Sequence, residues 1–556
     1  MSALHHTQAG VIAMISGGSS MPAAFQVADM SGLLNMTNND ASWIMGNAFR
    51  VMTMQSGFAL LEAGYVASKN IANIMVKNMI DIALGGLTYW ALGYGLSFGH
   101  PSSWFCGLGN FFLLGIEPER RGSVFAHYVF QFGFATTATT IVSGAVAERT
   151  RLSAYILFSI YNTFVYVFPA FWVWNPSGFL CRLGFHDFAG ACVVHVVGGA
   201  SAMMAAKLVG PRIGRFSETD NYTMSSPVTA LTGTFILWWG WLSFNCGSTL
   251  GVHQNLWQIA AMVGVNTING SIGGCSTALL VTILQHRGRF YDIGYLITGT
   301  LGGLVSVTAG CAVFSSHESL LVGSLGALSA LGFMSVMEKL KIDDPVGAVP
   351  VHFAAGCTGT VCVGLFAYDE HKLLKYKSGL VHGGALHLLG AQLSGLLCAA
   401  MWSLSTTALG LWIIDCMVGL RVQADEEIMG ADFVLHQAKA IDSAARNAVQ
   451  QQKTKENGAQ NVEPPHSLEK AMRKAMDELS MVTSGQTQRR STIRSSRKHS
   501  ANLQVLASVM RTSALADDGS SGLRGIPHQP VPVSVPGTVT VDKEEPHSGQ
   551  CDKATH

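Results

Sequence analysis

Two stretches decide the fold of this chain: DFAGACVVHVVGGASA at residues 187–202 and DPVGAVPVHFAAGCTG at residues 344–359. In each, an Asp precedes a His by eight residues, and the His begins the pattern H-x-x-[GA]-G-x-[ST]-[AG]. Both stretches lie in apolar segments long enough to enter a bilayer. At about 1.5 Å per helical residue, each His would lie about 12 Å from its Asp, near the midplane of a hydrocarbon core roughly 30 Å thick. The sequence therefore predicts two imidazoles buried at similar membrane depth.

The composition indicates an all-α integral membrane protein. Hydrophobic residues make up 49% of the 556 residues and charged residues only 12%, about half the share of a soluble domain. The 61 Gly residues suit helices that pack closely in lipid. The formal net charge of +1 excludes a globally basic nucleic-acid binder, so we expect the lipid bilayer, and no nucleic acid, as a partner.

Hydropathy predicts eleven transmembrane spans, which puts the two termini on opposite faces. The first two are the weakest, because Arg50 and Glu62 lie in one, and Lys77 and Asp81, four residues apart on one helical face, lie in the other, where they can neutralise each other. The predicted spans are residues 41–65, 73–99, 124–147, 153–174, 187–209, 227–245, 257–284, 291–314, 318–337, 349–367 and 385–414.

Charges in the connecting loops choose the orientation. Ten Lys and Arg residues fall on one side and six on the other, which favours the N-terminus outside and the C-terminus in the cytoplasm. The two His-bearing spans are the fifth and the tenth, so they cross the membrane in opposite directions. This is typical of two inverted five-helix repeats, with the eleventh helix outside the repeat, and repeat interfaces at the midplane form transport sites.

The domain organisation follows from changes in amino-acid composition along the chain. We predict an extracellular N-terminal arm (1–40), a membrane domain (41–420), a cytoplasmic membrane-proximal segment with one or two short helices (421–450), and a disordered cytoplasmic tail (451–556). The tail carries a basic run, RRSTIRSSRK at 489–498. It is either a solvated tail or a contact with anionic lipid that phosphorylation releases.

Ionisable residues inside a membrane are costly and usually line a pathway, so His195 and His352 are the first candidates for function. If they face each other, they can pass a proton or offer a donor and an acceptor to a small polar solute. Asp187 lies where a helix cap is expected, and a cation-attracting role is compatible with that position. The sequence Asp343-Asp344-Pro345 predicts a turn and a cap.

Aromatic residues cluster near the ends of three predicted spans. They are either interfacial belt anchors or rings that face a pore entrance and attract a cation. The residues concerned are Phe130, Phe132, Phe134, Phe171, Trp172, Trp174, Trp238, Trp239, Trp241 and Phe244. The eleven Cys show no metal-ligand spacing, so we expect no metal site, and a disulfide between Cys106 and Cys181 stays open.

Eight blocks in order resemble the ammonium transporter (Amt/Mep/Rh) family, and within it the Amt-type transporters rather than the Rh-type channels. They cover residues 40–422 and read GFALLEAGYVASKN (57–70), NIMVKN (73–78), GLTYWALGYGLSFG (86–99), FQFGFATTATTIVSGAVAER (130–149), DFAGACVVHVVGG (187–199), WGWLSFNCGS (239–248), DDPVGAVPVH (343–352) and IIDCMVGLRV (413–422).

The resemblance implies a plasma-membrane ammonium transporter that is not an enzyme and holds no cofactor. It would be a homotrimer with one pore per subunit, carrying ammonium or ammonia and often methylammonium. It also implies roles for single residues: His195 and His352 as the twin pore histidines, Phe134 and Phe244 as the gate, Phe134, Trp174 and Ser248 as the cation-recruitment site, Trp241 as a lining residue of that region, and Asp187 as the acid beneath the vestibule.

Three departures from the family pattern bear on these roles. Phe171 stands where many relatives have a His, and Pro350 precedes His352 where a small residue is common, so we expect a bend that shifts the second ring. The segment after Val422 keeps Gly430 but otherwise matches the family loosely.

Two other functions compete with transport. Two facing histidines could bind haem in an electron-transfer protein, although the small residues around them favour close packing. The chain could also be an ammonium sensor (transceptor) that signals through its cytoplasmic tail.

Overall fold

The computed structural model describes residues 36–217, 222–368, 370–371, 373–376 and 378–437. The N-terminal arm up to residue 35, the segment 438–450, the tail from 451 and its basic run lie outside these residues. Within the described residues the chain forms helices and three isolated β-bridges, which confirms the predicted all-α class.

The long helices follow one another with short connections. They are α1 (Asn38–Tyr65), α2 (71–98), α3 (Pro118–Ala145), α4 (Leu152–Trp174), α5 (Ala191–Val209), α6 (Pro227–Gly247), α7 (Leu256–His286), α8 (Ile293–Thr308), α9 (Ser316–Lys339), α10 (Val349–Phe366) and α11 (Leu386–Val418). A short helix, Phe179–Leu183, precedes α5, and two more, Ala424–Met429 and Ala431–Val434, follow α11 where the sequence predicts one or two.

Six helical segments in the described chain are long and apolar enough to cross a membrane. They comprise α4 with its short extension, α5, α7, α9, α10 and α11. The first two helices are not among these segments, and they carry buried polar side chains, among them Glu62 in α1 and Lys77 and Asp81 in α2. The protein is therefore a multi-pass membrane protein whose first helices are stabilised by packing and internal hydrogen bonds.

Glycines let α1 and α6 pack side by side in opposite directions. A Cβ on Gly64 would lie 2.4 Å from the Ala230 nitrogen, and one on Gly233 would lie 2.3 Å from the Leu61 nitrogen. Because these backbones touch, any side chain at the two glycines would separate the helices. The helices α3 and α5 pack against each other, and so do α8 and α10.

Lys77 and Asp81 do not form the direct ion pair that their spacing suggests. The Asp81 carboxylate accepts hydrogen bonds from Tyr155 (2.7 Å), Ser159 (2.9 Å) and Thr140 (3.1 Å) instead. Lys77 Nζ lies 5.2 Å from the centre of the Tyr155 ring and makes no hydrogen bond. The hydroxyl groups of α3 and α4 donate hydrogen bonds to the Asp81 carboxylate, so the Lys77 charge acts on that carboxylate at longer range.

The segment after α11 is fastened to the loops at one end of the helices. Asp432 accepts hydrogen bonds from the first amides of α2, Ala72 (2.9 Å) and Asn73 (2.7 Å). Lys69 donates to the carbonyl of Glu427 at 2.8 Å. Gly430, at φ +93°, leaves no room for a side chain beside Lys69.

Candidate functional site

The helices α5 and α10 begin with the same local structure. Asp187 accepts four backbone N–H groups, those of residues 190 to 193, at 2.8 to 2.9 Å. Asp344 accepts from Gly347 at 3.0 Å and Val349 at 2.7 Å. Gly190 and Gly347 adopt φ values of +99° and +76°, which favour glycine. Each cap is followed by a wide turn of π-helix that contains the His.

Fewer helical residues lie between each Asp and its His than the sequence predicts. Residues 187–190 fold back onto the helix start, so α5 begins at Ala191 and only four of its residues precede His195. The estimate of about 12 Å assumes a continuous helix from the Asp and is wrong for this reason.

Pro350 does not kink α10. It occupies the first turn, where a backbone N–H group would have no acceptor within the helix, so its absence costs no hydrogen bond. The wide turn cannot be caused by this proline, because α5 has the same turn without one. The expected displacement of the His352 ring by a bend is therefore wrong.

Glycines four residues after each His allow the two helices to cross in contact. A Cβ on Gly199 would lie 2.4 Å from the Phe353 nitrogen, and a Cβ on Gly356 would lie 2.8 Å from the Ala191 oxygen. The sequence pattern H-x-x-[GA]-G thus has a structural cause: each glycine lets the opposite helix carry its His to the crossing point.

The two histidines meet at this crossing. His195 Nδ1 lies 3.1 Å from His352 Nδ1, and the ring planes are tilted by 18°. His195 is 0% exposed and His352 is 4% exposed. One ring donates its Nδ1 proton to the Nδ1 atom of the other ring, so the tautomer of each ring depends on that of its partner. No macrocycle fits between two rings at this distance, which argues against the haem alternative.

Aromatic rings enclose the pair. Trp241 stacks on His195 with centroids 5.0 Å apart, and Phe58 lies 6.0 Å from His352 on the other side. Trp241 is fully buried and donates to Thr308 Oγ1 at 2.8 Å. The structure therefore places Trp241 beside the histidines, one turn below Phe244, and outside the lining of the recruitment region expected from the resemblance.

Phe134 and Phe244 form a closed pair of rings next to His195. Their centroids are 3.9 Å apart with an angle of 11°, and Phe244 lies 5.7 Å from His195. Trp174 contacts Phe134 edge to face at 5.9 Å. Both Phe rings are buried, so they separate the histidines from the space beyond them.

That space, which we call the gate cavity, has a volume of about 60 Å³, enough for a few small molecules. The residues that line it are Phe98, His127, Phe130, Gln131, Phe134, Trp174, Phe188, Ser248 and Leu250. Ser248 donates its hydroxyl to the Phe244 carbonyl at 2.9 Å, which leaves the Oγ lone pairs to accept from an N–H donor.

Two polar lining residues were not predicted. His127 Nδ1 lies 3.0 Å from the Tyr94 hydroxyl, and its Nε2 lies 3.4 Å from Gln131 Nε2. The Gln131 Oε1 atom is buried and has no hydrogen-bond partner. The signal was present in the sequence, because positions 127, 130, 131 and 134 fall on one face of a helix.

Asp187 and Phe171 do not line the gate cavity. All four backbone amides at the start of α5 use the Asp187 carboxylate, and the indole of Trp174 donates to its main-chain oxygen at 2.8 Å. Asp187 therefore holds Trp174 and the start of α5 in place. Phe171 is fully buried.

Two further spaces lie beyond His352. The histidine cavity, of about 20 Å³, is lined by His352, Phe58 and Glu62 among others. It shares Thr298, Val346 and Gly347 with a wide vestibule of about 770 Å³. The gate cavity, the Phe pair, the His pair, the histidine cavity and the vestibule thus follow one another in this order.

Buried ion pairs connect the loops at the mouth of the vestibule. Arg212 donates to Asp343 at 2.8 Å and to Glu148 at 2.7 Å, and all three are buried. Burial alone would raise the pKa of Asp343, but hydrogen bonds from Arg212 and the charges of Arg149 and Arg212 hold it below its usual value.

Cys106 and Cys181 are free thiols in the structure. Among the described residues, no group of three or more His, Cys, Asp or Glu side chains could hold a metal ion.

Two antiparallel half-sites that meet at paired histidines, inside apolar helices, define a multi-pass membrane protein with a site at its repeat-like centre. The chain belongs to the Ammonium Transporter Family, whose family model matches residues 42–441.

Related proteins are named as transporters rather than enzymes. The chain is 39% identical over 415 residues to "Putative ammonium transporter 3" of Caenorhabditis elegans, covering 72% of this chain and 60% of that protein. It therefore spans less than two thirds of that relative. It is 36% identical over 435 residues to "Ammonium transporter Amt2" of Archaeoglobus fulgidus, covering 74% and 91%.

The fold also resembles solved structures. The "Sensor Amt Protein" matches with a TM-score of 0.66 at 32% identity, covering 72% of this chain and 98% of that one.

Proposed function

We propose that the chain transports ammonium by recruiting the cation, removing a proton at the Phe pair and passing ammonia along the two histidines. The observation that carries this proposal is the stack of Phe134 and Phe244 directly against the His195–His352 pair, with a cavity on each side. All eleven long helices would cross the membrane, as two inverted five-helix repeats followed by α11. The antiparallel pairing of α1 with α6, and the matching starts of α5 and α10, support the repeat.

The gate cavity is the proposed recruitment site. The faces of Phe134 and Trp174 attract a cation, an interaction worth about 0.5 to 2 kcal/mol. Ser248 Oγ and the unpaired Gln131 Oε1 supply acceptors for N–H groups. Asp187 contributes by holding Trp174 and the start of α5 in place, since its carboxylate accepts hydrogen bonds from the backbone amides at that helix start.

The Phe pair is the proposed gate. A cation that passes it loses the water and the oxygen acceptors behind it, which favours the neutral form. Potassium and ammonium are similar in size, but only ammonium can release a proton. The two imidazoles then pass the proton while ammonia moves along the apolar route.

With the orientation that the loop charges favour, the gate cavity faces outward and the vestibule faces the cytoplasm. We further propose a homotrimer in the plasma membrane with one pore per subunit, and methylammonium as a second substrate.

The test is an ammonium-evoked current from the full chain in proteoliposomes. We expect a current in ammonium and none in potassium for the natural chain. Replacing His195 or His352 with Ala should abolish transport or let potassium pass. Unchanged current and unchanged selectivity in both variants would exclude the relay.

A sensor that signals through its tail is the second candidate. The attachment of Asp432 and Lys69 at one end of the helices supports it, because ligand-driven movement of α2 would reach this segment. A chain truncated after residue 450 separates the two functions. Full transport by that chain, with loss of any ammonium-dependent signal, would assign signalling to the tail.

A further inference from the structure

A buried polar cluster lies beside the route at the level of His352. Its ionisable members are Glu62 on α1 and Lys77 and Asp81 on α2, which are 2%, 0% and 0% exposed. Two carboxyl groups and one ammonium group would leave one uncompensated negative charge among apolar helices, which is costly. One of the two carboxyl groups therefore has reason to bind and release a proton.

Of the two carboxyl groups, only Glu62 reaches the route. Glu62 lines the histidine cavity together with His352, and Asp81 does not. Asp81 accepts from three hydroxyl groups, an arrangement that suits a permanent anion. Glu62 has two partners, Asn78 Nδ2 at 2.6 Å and Ser143 Oγ at 2.5 Å.

Ser143 fits both protonation states of Glu62. Its hydroxyl lies 2.5 Å from Glu62 Oε1 and 2.7 Å from the Thr140 carbonyl oxygen. When Glu62 is ionised, Ser143 donates to it. When Glu62 is protonated, the carboxylic acid donates to Ser143 Oγ, and Ser143 turns its single proton to Thr140. The hydrogen bond between Glu62 and Ser143 is therefore present in both protonation states.

We propose that Glu62 is the proton acceptor on the vestibule side of the histidine pair. A His352 imidazolium gives its proton to the Glu62 carboxylate across the histidine cavity and becomes neutral. The resulting carboxylic acid gives the proton to water in the vestibule, which adjoins the cavity at Thr298 and Gly347, and the carboxylate is restored.

The groups that face Glu62 set when it can act. The charges of Asp81 and Lys77 on α2 act on Glu62, the Tyr155 hydroxyl on α4 interacts with it electrostatically, and His352 on α10 lines the same cavity. A proton on His352 attracts the carboxylate, and a proton on Glu62 removes the negative charge that would hold an imidazolium in place. Proton transfer from His352 to Glu62 therefore keeps the pair neutral, and release of that proton from Glu62 to the vestibule prepares the pair for the next proton.

The inference rests on the proposed function, so its experiment measures both. The full chain in proteoliposomes receives ammonium pulses on a solid-supported membrane, and the initial current is recorded over a range of pH and ammonium concentration. The variants are Glu62→Gln, which keeps the shape and hydrogen bonds of the side chain, and Glu62→Asp, which keeps the acid.

We expect Glu62→Gln to lower the maximal current at least tenfold, to leave the half-saturating ammonium concentration within about twofold, and to alter the pH profile. We expect Glu62→Asp to restore the current to within about threefold of the natural chain. A natural chain without current would contradict the proposed function itself. A natural current matched by Glu62→Gln, with the same pH profile, would overturn the role of Glu62 alone.

A second variant covers the case in which Glu62→Gln does not fold. Ser143→Ala keeps Glu62 but removes the hydroxyl that accommodates both protonation states. We expect a several-fold slower current with a shifted pH profile. A Ser143→Ala current equal to that of the natural chain would overturn the proposal.

Discussion

The close crossing of α5 and α10 makes Gly199 the position where the smallest change should have the largest effect on the histidine pair. In Gly199→Ala, the added methyl group would lie 2.4 Å from the Phe353 nitrogen and 2.9 Å from its Cα. Ordinary contact begins at 3.4 Å, so the backbones must separate by about 1 Å. The obstacle is main chain on the other helix, which cannot rotate away.

The separation acts directly on the site because Phe353 follows His352. A shift of about 1 Å would lengthen the 3.1 Å contact between the two Nδ1 atoms beyond hydrogen-bond distance. We expect a loss of about 1–3 kcal/mol in stability, typical of overpacking. We also expect ammonium current to fall more steeply than stability, because proton transfer depends on that contact.

Thermal unfolding in detergent and ammonium current in proteoliposomes measure the two effects. Gly332→Ala is the matched control, since a Cβ there meets nothing within 4 Å. Replacing that helical Gly with Ala should leave stability equal or raise it by up to about 1 kcal/mol. Equal melting temperatures and equal currents for the two variants would refute the tight crossing.

Two further changes test the ends of the helices. Arg212→Ala removes the guanidinium that donates to the buried Asp343 and leaves it the longer pair with Arg215 Nε at 3.4 Å, so it should cost up to about 3–5 kcal/mol by thermal unfolding. Because the pKa of folded Asp343 lies below its ordinary value of 3.8, the contribution of Asp343 to stability is complete above that pH and is lost as the pH falls below it. Arg212→Ala should weaken this acid sensitivity, and an unchanged acid profile would contradict the pairing. Asp432→Ala removes the cap from two α2 amides, at a cost of about 0.5–2 kcal/mol. Hydrogen exchange in residues 424–437 should become faster, and unchanged exchange would show that other contacts hold the segment.

Sequence alone predicts the features that depend on local patterns. The caps predicted at Asp187 and at the Asp343-Asp344-Pro345 turn are present, although α5 begins at Ala191 and not at Asp187. The helical periodicity and apolar content predict the bundle. The His pair follows from two similar motifs in antiparallel spans, and the resemblance to relatives supplies the Phe stack.

Sequence could not predict features that depend on contacts between distant segments. Trp241 lies beside His195 because α6 and α8 bring it to Thr308, 67 residues away. The Lys77 charge acts on Asp81 as their spacing suggests, but the hydrogen-bond partners of Asp81 come from α3 and α4, which the spacing could not indicate. In the sequence, Glu62 is only a charged residue that weakens the first predicted span. Its position in the histidine cavity depends on the packing of α10 beside α1.

The two halves of the site begin with similar backbone structure, and one of the side chains in which they differ gives the proposed route a direction. Four residues after Phe58, which faces His352, lies Glu62, held by Asn78 of α2. Four residues after Trp241, which faces His195, lies Asn245, bonded to Thr267 of α7 at 3.0 Å. An amide cannot take up a proton at neutral pH, whereas a carboxylate can. In the proposed mechanism, two similar helix starts place the two histidines, and the acid beside His352 sets the side on which a proton leaves them.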